Sequence, residues 1–236
     1  MSVIFILVTI SRVIGLPGVQ LAATDARDAM DLLRKQRILR TKGTEVRALA
    51  LSESALAAAE LGNIEVPIAV ALLQSSIESA GLVSTAPMQV LAQFHAIALT
   101  DQGSDVRGRP RDLGPEERER FFALNDLVKA ESSIPALIIG GLFMAEVMDI
   151  APFASANDVV ARSSFRSILI GRGFDPDSLG LPEVGMLVLG ANSFVPALAA
   201  YRTGTPEGVA AWLRHLASAV QLGARRGIEI CDELSK

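Results

Sequence analysis

Between Ile134 and Val147 the chain runs through 14 residues in which Glu146 is the single charged side chain. A helix needs about 20 apolar residues to cross a bilayer. This stretch is too short for that and long enough for a helix buried inside a protein. Wherever it lies, other segments must cover it, and the rest of the chain offers helices for the purpose.

The periodicity is that of amphipathic helices almost throughout. Residues 22–39 are rich in alanine and charge, with Ala26, Ala29, Leu32 and Leu33 on one stripe. Residues 46–61 form a second helix that Gly62-Asn63 stops. Residues 66–77 and 87–99 follow with the same period, and 100–114 read as a polar loop. Pro115-Glu116-Glu117 opens the next helix, with proline in the first turn and acids facing the positive end of the macrodipole. Ser132 or Ser133 caps the apolar helix, which runs to about Met148. A helix over 158–170 ends at Gly171, Gly173 and Pro176. A short one covers 193–201, and Thr205-Pro206-Glu207 starts a long last helix with Val209, Trp212, Leu213, Leu216 and Val220 inward. Residues 186–189 are a weak strand candidate. The expectation is one all-α domain over 15–236, preceded by an apolar extension over 1–14, with any short β elements confined to the N-terminus and the loops.

Composition excludes several classes of function. The net charge of −4, from 22 basic and 26 acidic residues, argues against nucleic acid as a partner. Cys231 stands alone, so no internal disulfide forms, which fits a reducing cytoplasm as the location. With His95 and His215 far apart, Cys/His zinc spacing is missing, and no metal site is expected. The apolar run from Val3 to Ile10 has no basic residue before it and is too short to span a membrane.

The chemistry-bearing stretch is Ile150-Ala-Pro-Phe-Ala-Ser-Ala-Asn-Asp-Val-Val-Ala-Arg162, a turn from the apolar helix into the next one. It resembles the signature of the Fic (death-on-curing) family, His-Pro-Phe-x-(Asp/Glu)-Gly-Asn-Gly-Arg-x-x-Arg. Pro152, Phe153, Asn157 and Arg162 match it. The likeness extends over about residues 45–230. His95 resembles a family helix position, Gly108-Arg109-Pro110-Arg111 a Gly/Arg loop, and Arg172-Gly173-Phe174-Asp175-Pro176 the stretch after the motif helix. Ala197–Tyr201 and the Trp212 helix resemble the family's C-terminal end. The resemblance implies a Fic-like helical bundle.

It also implies a chemistry against which each substitution can be weighed. In Fic enzymes the histidine is a general base that deprotonates a protein hydroxyl for attack on a nucleotide α-phosphate. The acid holds Mg²⁺, the Gly-Asn-Gly turn offers N–H groups to phosphate, and the two arginines bind the outer phosphates. Here Ala151 has nothing to titrate. Ser155 is a poor sole ligand for Mg²⁺. Ala156 and Asp158 replace the glycines, and Val159 replaces the first arginine. Asp158 would also repel a triphosphate: like charges at ~4 Å and an effective dielectric of ~20 cost about 4 kcal/mol. Ser155 and Asp158 have the spacing of a capping box that would close the helix end on itself.

Some family members carry an inhibitory Ser/Thr-x-x-x-Glu-Gly/Asn helix. Anchored on Asn63, that pattern puts Gly62 at the glutamate and Ala58 at the serine, with Glu60 two residues early. Among other candidates, Glu146 and Asp149 share a helix face and read as a carboxylate pair meeting Arg162 or solvent. A relocated base or metal ligand is the sharper alternative. Arg107, Arg109 and Arg111 read as a solvated loop balanced by Asp101, Asp105 and Asp112. His95 reads as a hydrogen-bonded core residue and His215 as a surface or interface residue.

The leading expectation is a Fic-fold pseudoenzyme, inactive in AMP transfer and kept as a binding or regulatory protein. Asn157 and Arg162 are then the residues left to hold a ligand, no catalytic residue remains, and no cofactor is expected, ATP and Mg²⁺ being disfavoured. The alternatives are a nucleotidyl- or phosphoryl-group transferase (protein AMPylation) with altered catalytic residues, and a toxin–antitoxin-type interaction partner. A protein partner or a second copy of the chain fits the aliphatic composition.

Overall fold

The computed structural model describes residues 10–100, 105–130 and 133–236. Among these residues there are eleven helices and no strand: α1 (Ile10–Ile14), α2 (Val19–Arg34), α3 (Leu39–Gly62), α4 (Val66–Glu78), α5 (Pro87–Ala98), α6 (Pro115–Val128), α7 (Ala136–Ile150), α8 (Asn157–Gly171), α9 (Pro182–Leu189), α10 (Ala191–Arg202) and α11 (Pro206–Ser235). The strand suggested at 186–189 is the last turn of α9. Its apolar run packs on α11 as a helix, which alternation over four residues could not exclude. Residues 1–9, which include most of the N-terminal apolar run, lie outside the described residues, as do Asp101 and Ser132.

The apolar stretch is the centre of the molecule. Every residue of α7 except Asp149 is buried, and so is α8 from Val159 to Ile170. Helices α7 and α8 pack side by side, with α5, α6 and α11 around them. Gly140 and Gly141 set how closely the neighbours approach. A Cβ on Gly140 would lie 2.9 Å from the Phe165 ring of α8, and one on Gly141 would lie 2.8 Å from Leu213 of α11. Two helix-interior glycines cost roughly 1 kcal/mol each in propensity. They admit close packing that also lets Trp212 Nε1–H reach the Gly141 carbonyl at 2.7 Å.

Local signals explain most boundaries. Asn63 takes the left-handed conformation (φ 47°) just past α3, as expected of a helix stop. Glu117 accepts from the Gly114 N–H at 2.9 Å at the start of α6, and Thr205 Oγ1 accepts from the Gly208 N–H at 3.1 Å at the start of α11. Three expectations need correction. The helix expected over 22–39 is two: α2 ends at Arg34, and Leu39 begins α3. On α2 the buried stripe is Val19, Ala23, Ala26, Met30 and Leu33, whereas Leu32 is 56% exposed. Ser133 does not cap α7: the helix starts after Pro135, whose fixed φ places it at the boundary, with no side-chain cap.

Candidate functional site

The corner between α7 and α8 is built by backbone constraints first. Ala151 ends α7 in the left-handed region (φ 48°), and Ala156 precedes α8 in the same region (φ 55°). At both positions an L-residue bears strain on the order of 1 kcal/mol, so neighbours must hold the turn. Asn157 does so from within: its Oδ1 accepts from the Phe153 N–H at 2.9 Å, and its Nδ2 donates to the Phe153 carbonyl at 2.8 Å. Phe153, 2% exposed, stacks on the His95 ring at 4.1 Å.

Arg111 holds the corner from outside. Its Nη2 donates to the Ile150 carbonyl at 2.7 Å and its Nε to the Ala151 carbonyl at 2.8 Å, which satisfies carbonyls left open at the end of α7. Its backbone N–H donates to Pro152 O at 2.8 Å. Glu117 pairs with the guanidinium at 2.6 Å, and this contact, together with the Gly114 N–H, holds the Glu117 pKa below the usual carboxylate range. The sequence reading placed Arg111 in a solvated loop; it is a clamp on the motif corner.

Helix α8 does not begin with the expected capping box. Ser155 is exposed, Ala156 occupies the cap position, and the Asp158 carboxylate turns away from the backbone donors to pair with Arg162 at 2.5 Å. Arg162 sits one turn further along the helix, so the i,i+4 contact outcompetes a cap that needs Ser155 to fold back. The other contact of Arg162 runs from its Nη2 to the Leu61 carbonyl at 3.1 Å, at the C-terminus of α3. That end carries the negative pole of the helix dipole, which suits a guanidinium. Arg162 is 9% exposed, and a Cβ on Gly62 would lie 2.8 Å from Val159 and 3.6 Å from Arg162 Nη2. The helix end that aligns with the inhibitory pattern therefore abuts the motif helix at Arg162, and its contact there is made by main chain.

Neither Glu146 nor Asp149 meets Arg162, and Glu146 is buried while Asp149 is only partly exposed, which corrects the expected pairing with Arg162. Arg120 from α6 donates to Glu146 at 3.0 Å and to Asp149 at 2.6 Å. Tyr201 donates its hydroxyl to Glu146, and Arg202 pairs with Asp149 at 3.0 Å. Burial opposes the charge on Arg120, yet these two carboxylates hold its pKa above the ordinary value. Burial, reinforced by Glu146, pushes the Tyr201 hydroxyl well above its usual range. Outside the corner, Met148, Phe194 and Leu198 form an apolar wall beside Ala156–Asp158 and Arg202, around an open groove of about 360 Å³.

A second buried pair lies deeper in the fold, between α8 and α9. Arg166, 2% exposed in the middle of α8, makes a bidentate contact with Glu183 of α9 at 2.8 and 2.9 Å and also donates to Ser54 and Ser178. One signal was available: an arginine inside a helix otherwise buried on every side requires a carboxylate from elsewhere. The other flagged residues stand apart from the corner or serve its packing. His95 is buried and hydrogen-bonded, as expected; His215 is half-buried against Phe194 and Trp212; Cys231 is buried on α11, with its thiol pKa raised by burial.

No family model and no curated protein matches the chain. Among solved structures, a Fic-1 segment from C. elegans superposes with a TM-score of 0.67 over 92% of this chain and 74% of that one, at 14% identity. The chain has the fold of a Fic domain. At 14% identity the likeness is one of fold, and that fold is all-α, as the periodicity of the sequence requires. Among the described residues no single helix is long and apolar enough to cross a membrane.

Proposed function

We propose that this Fic-fold protein does not transfer nucleotides at its motif corner and serves as a binding or regulatory pseudoenzyme. The observation that carries the reading is the state of Arg162. The one phosphate-binding arginine position that the motif retains is buried, paired with Asp158 and bonded to the Leu61 carbonyl. To bind a triphosphate, it would have to give up both contacts while Asp158 stayed beside the ligand.

The remaining positions point the same way. Ala151 offers no base, Val159 no positive charge and Ser155 no carboxylate. A transferase with relocated carboxylates would need Glu146 or Asp149, and both already neutralise Arg120. The part that fits recognition is the apolar groove beside the corner, and a protein partner is the occupant consistent with its walls. No cofactor enters this reading.

Incubation of the full chain with labelled ATP, Mg²⁺ and a cell extract tests it directly. The expected result is no AMP-modified protein above a boiled control and no calorimetric heat for ATP. Transfer of label, or ATP binding lost in Arg162→Ala, would overturn the proposal.

A further inference from the structure

The segment that precedes Arg111 is fastened to α5 by a group that can titrate. Gly108 lies in the left-handed region (φ 67°), and a Cβ there would sit 3.0 Å from the Ala92 carbonyl oxygen, so the main chain lies directly on the helix. The Gly108 N–H donates to Nδ1 of His95 at 3.0 Å. An imidazole nitrogen accepts a hydrogen bond only while it carries no proton, so His95 is neutral, with its proton on Nε2. The ring is 1% exposed and lies flat on Phe153 of the motif corner. Nε2 has no hydrogen-bond partner among the described residues. Three residues beyond Gly108, the Arg111 clamp grips the same corner through Glu117 and the carbonyls at the end of α7.

We propose that residues 105–111 form an acid-released strap over the motif corner. Protonation of His95 at Nδ1 converts the acceptor into a donor facing the Gly108 N–H. The two donors cannot share the 3.0 Å gap. The Gly108 end then lifts from α5 and swings about Arg111, uncovering the His95–Phe153 face. Arg111 keeps its hold because Glu117 stays ionised below the ordinary carboxylate range. This inference does not depend on whether the corner binds a nucleotide.

Burial lowers the His95 pKa from its ordinary value and is the cause of the shift. The charged groups carried by the elements around it are Glu78 on α4, Glu116, Glu117 and Arg120 on α6, Asp158 and Arg162 on α8, and Asp105, Arg107, Arg109 and Arg111 in the strap. The sign follows from linkage. The folded state binds this proton less readily than the unfolded chain, so the strap contact is fully present above pH 6.5 and is lost as pH falls through the lower, folded value.

Nuclear magnetic resonance on the full chain between pH 7.5 and 4.5 follows both ends of the switch. It reads the His95 ring and the exchange protection of the Gly108 amide, corrected for the chemical exchange rate at each pH. Protection is expected to fall about tenfold per pH unit below the His95 pKa while α7 and α8 stay protected. His95→Asn, whose Oδ1 can accept in place of Nδ1 and does not titrate, should keep Gly108 protected throughout. Gly108→Ala, strained at this φ, should open the strap already at pH 7.5 and serves as the reporter if the histidine variant fails to fold. The proposal fails if Gly108 stays protected down to pH 4.5 or opens only with global unfolding. It also fails if His95→Asn loses protection over the parent's pH range.

Discussion

Replacing Arg162 with alanine separates a structural clasp from an anion site, because the two roles predict opposite signs. As a clasp, Arg162 contributes a charge-assisted hydrogen bond to the Leu61 carbonyl, worth about 1.5–3 kcal/mol. Its pair with Asp158 adds only about 0.3–0.5 kcal/mol, since that carboxylate is 49% exposed and water screens it. Arg162→Ala should therefore cost about 2 kcal/mol, which lowers Tm by about 4–8 °C for a chain of this size. Asp158→Asn, which removes the screened pair and leaves the Leu61 contact, should cost roughly 0.5 kcal/mol. Scanning calorimetry of parent and variants, with and without ATP and Mg²⁺, reads both effects. If Arg162→Ala melts at or above the parent temperature while ATP stabilises the parent alone, Arg162 is an anion site and the clasp reasoning is wrong.

Further substitutions test the interior. Glu183→Ala strands the buried Arg166 and should cost about 3–5 kcal/mol in chemical denaturation, whereas the joint change Arg166→Met with Glu183→Leu should cost far less; a loss under about 1 kcal/mol for the single variant contradicts this. Burial raises Asp175 to about 6, against the pull of Arg166 and the Leu179 and Gly180 N–H groups. Its folded form therefore holds a proton more tightly than the unfolded chain, and its contribution to stability declines as pH rises from about 4 to 6, by on the order of 3 kcal/mol. The stability difference between the parent and Asp175→Asn should shift in the parent's favour by that amount as pH falls from 7 to 4, and a constant difference would sink the assignment. Gly185→Ala places a Cβ 1.8 Å from the Ala219 carbonyl oxygen, so α9 must move off α11 at a cost of about 1–3 kcal/mol or more, measurable by urea titration.

The corner was legible in the sequence because its constraints are local. Pro152 fixes a backbone angle, Asn157 reaches four residues back to Phe153, and the shift from a buried helix to a new helix start is written in consecutive residues. Ser155 and Asp158 satisfy the spacing of a capping box, but Asp158 pairs with an arginine one turn ahead and Ala156, which has no side-chain acceptor, occupies the cap position. Glu146 and Asp149 share a helix face, as their spacing requires, but their partner is Arg120 and not Arg162. Arg120 is separated from them by a loop, and nothing in its surroundings announces a buried contact. Arg111 looked solvated because its acceptors, the Ile150 and Ala151 carbonyls, come from main chain 39 and 40 residues away.

The run of 134–147, apolar except for Glu146, required a buried central helix, and the periodic faces around it required a helical shell. Those follow from one-dimensional pattern, because burial along a helix repeats at a fixed interval. The absence of a base, a metal ligand and the first arginine at the motif positions was likewise fixed by residue type. What Arg162 does is a different matter. A guanidinium reaches several ångströms in many directions; Asp158 lies one turn away on the same helix, but only the packing of α3 against α8 brings the Leu61 carbonyl to it.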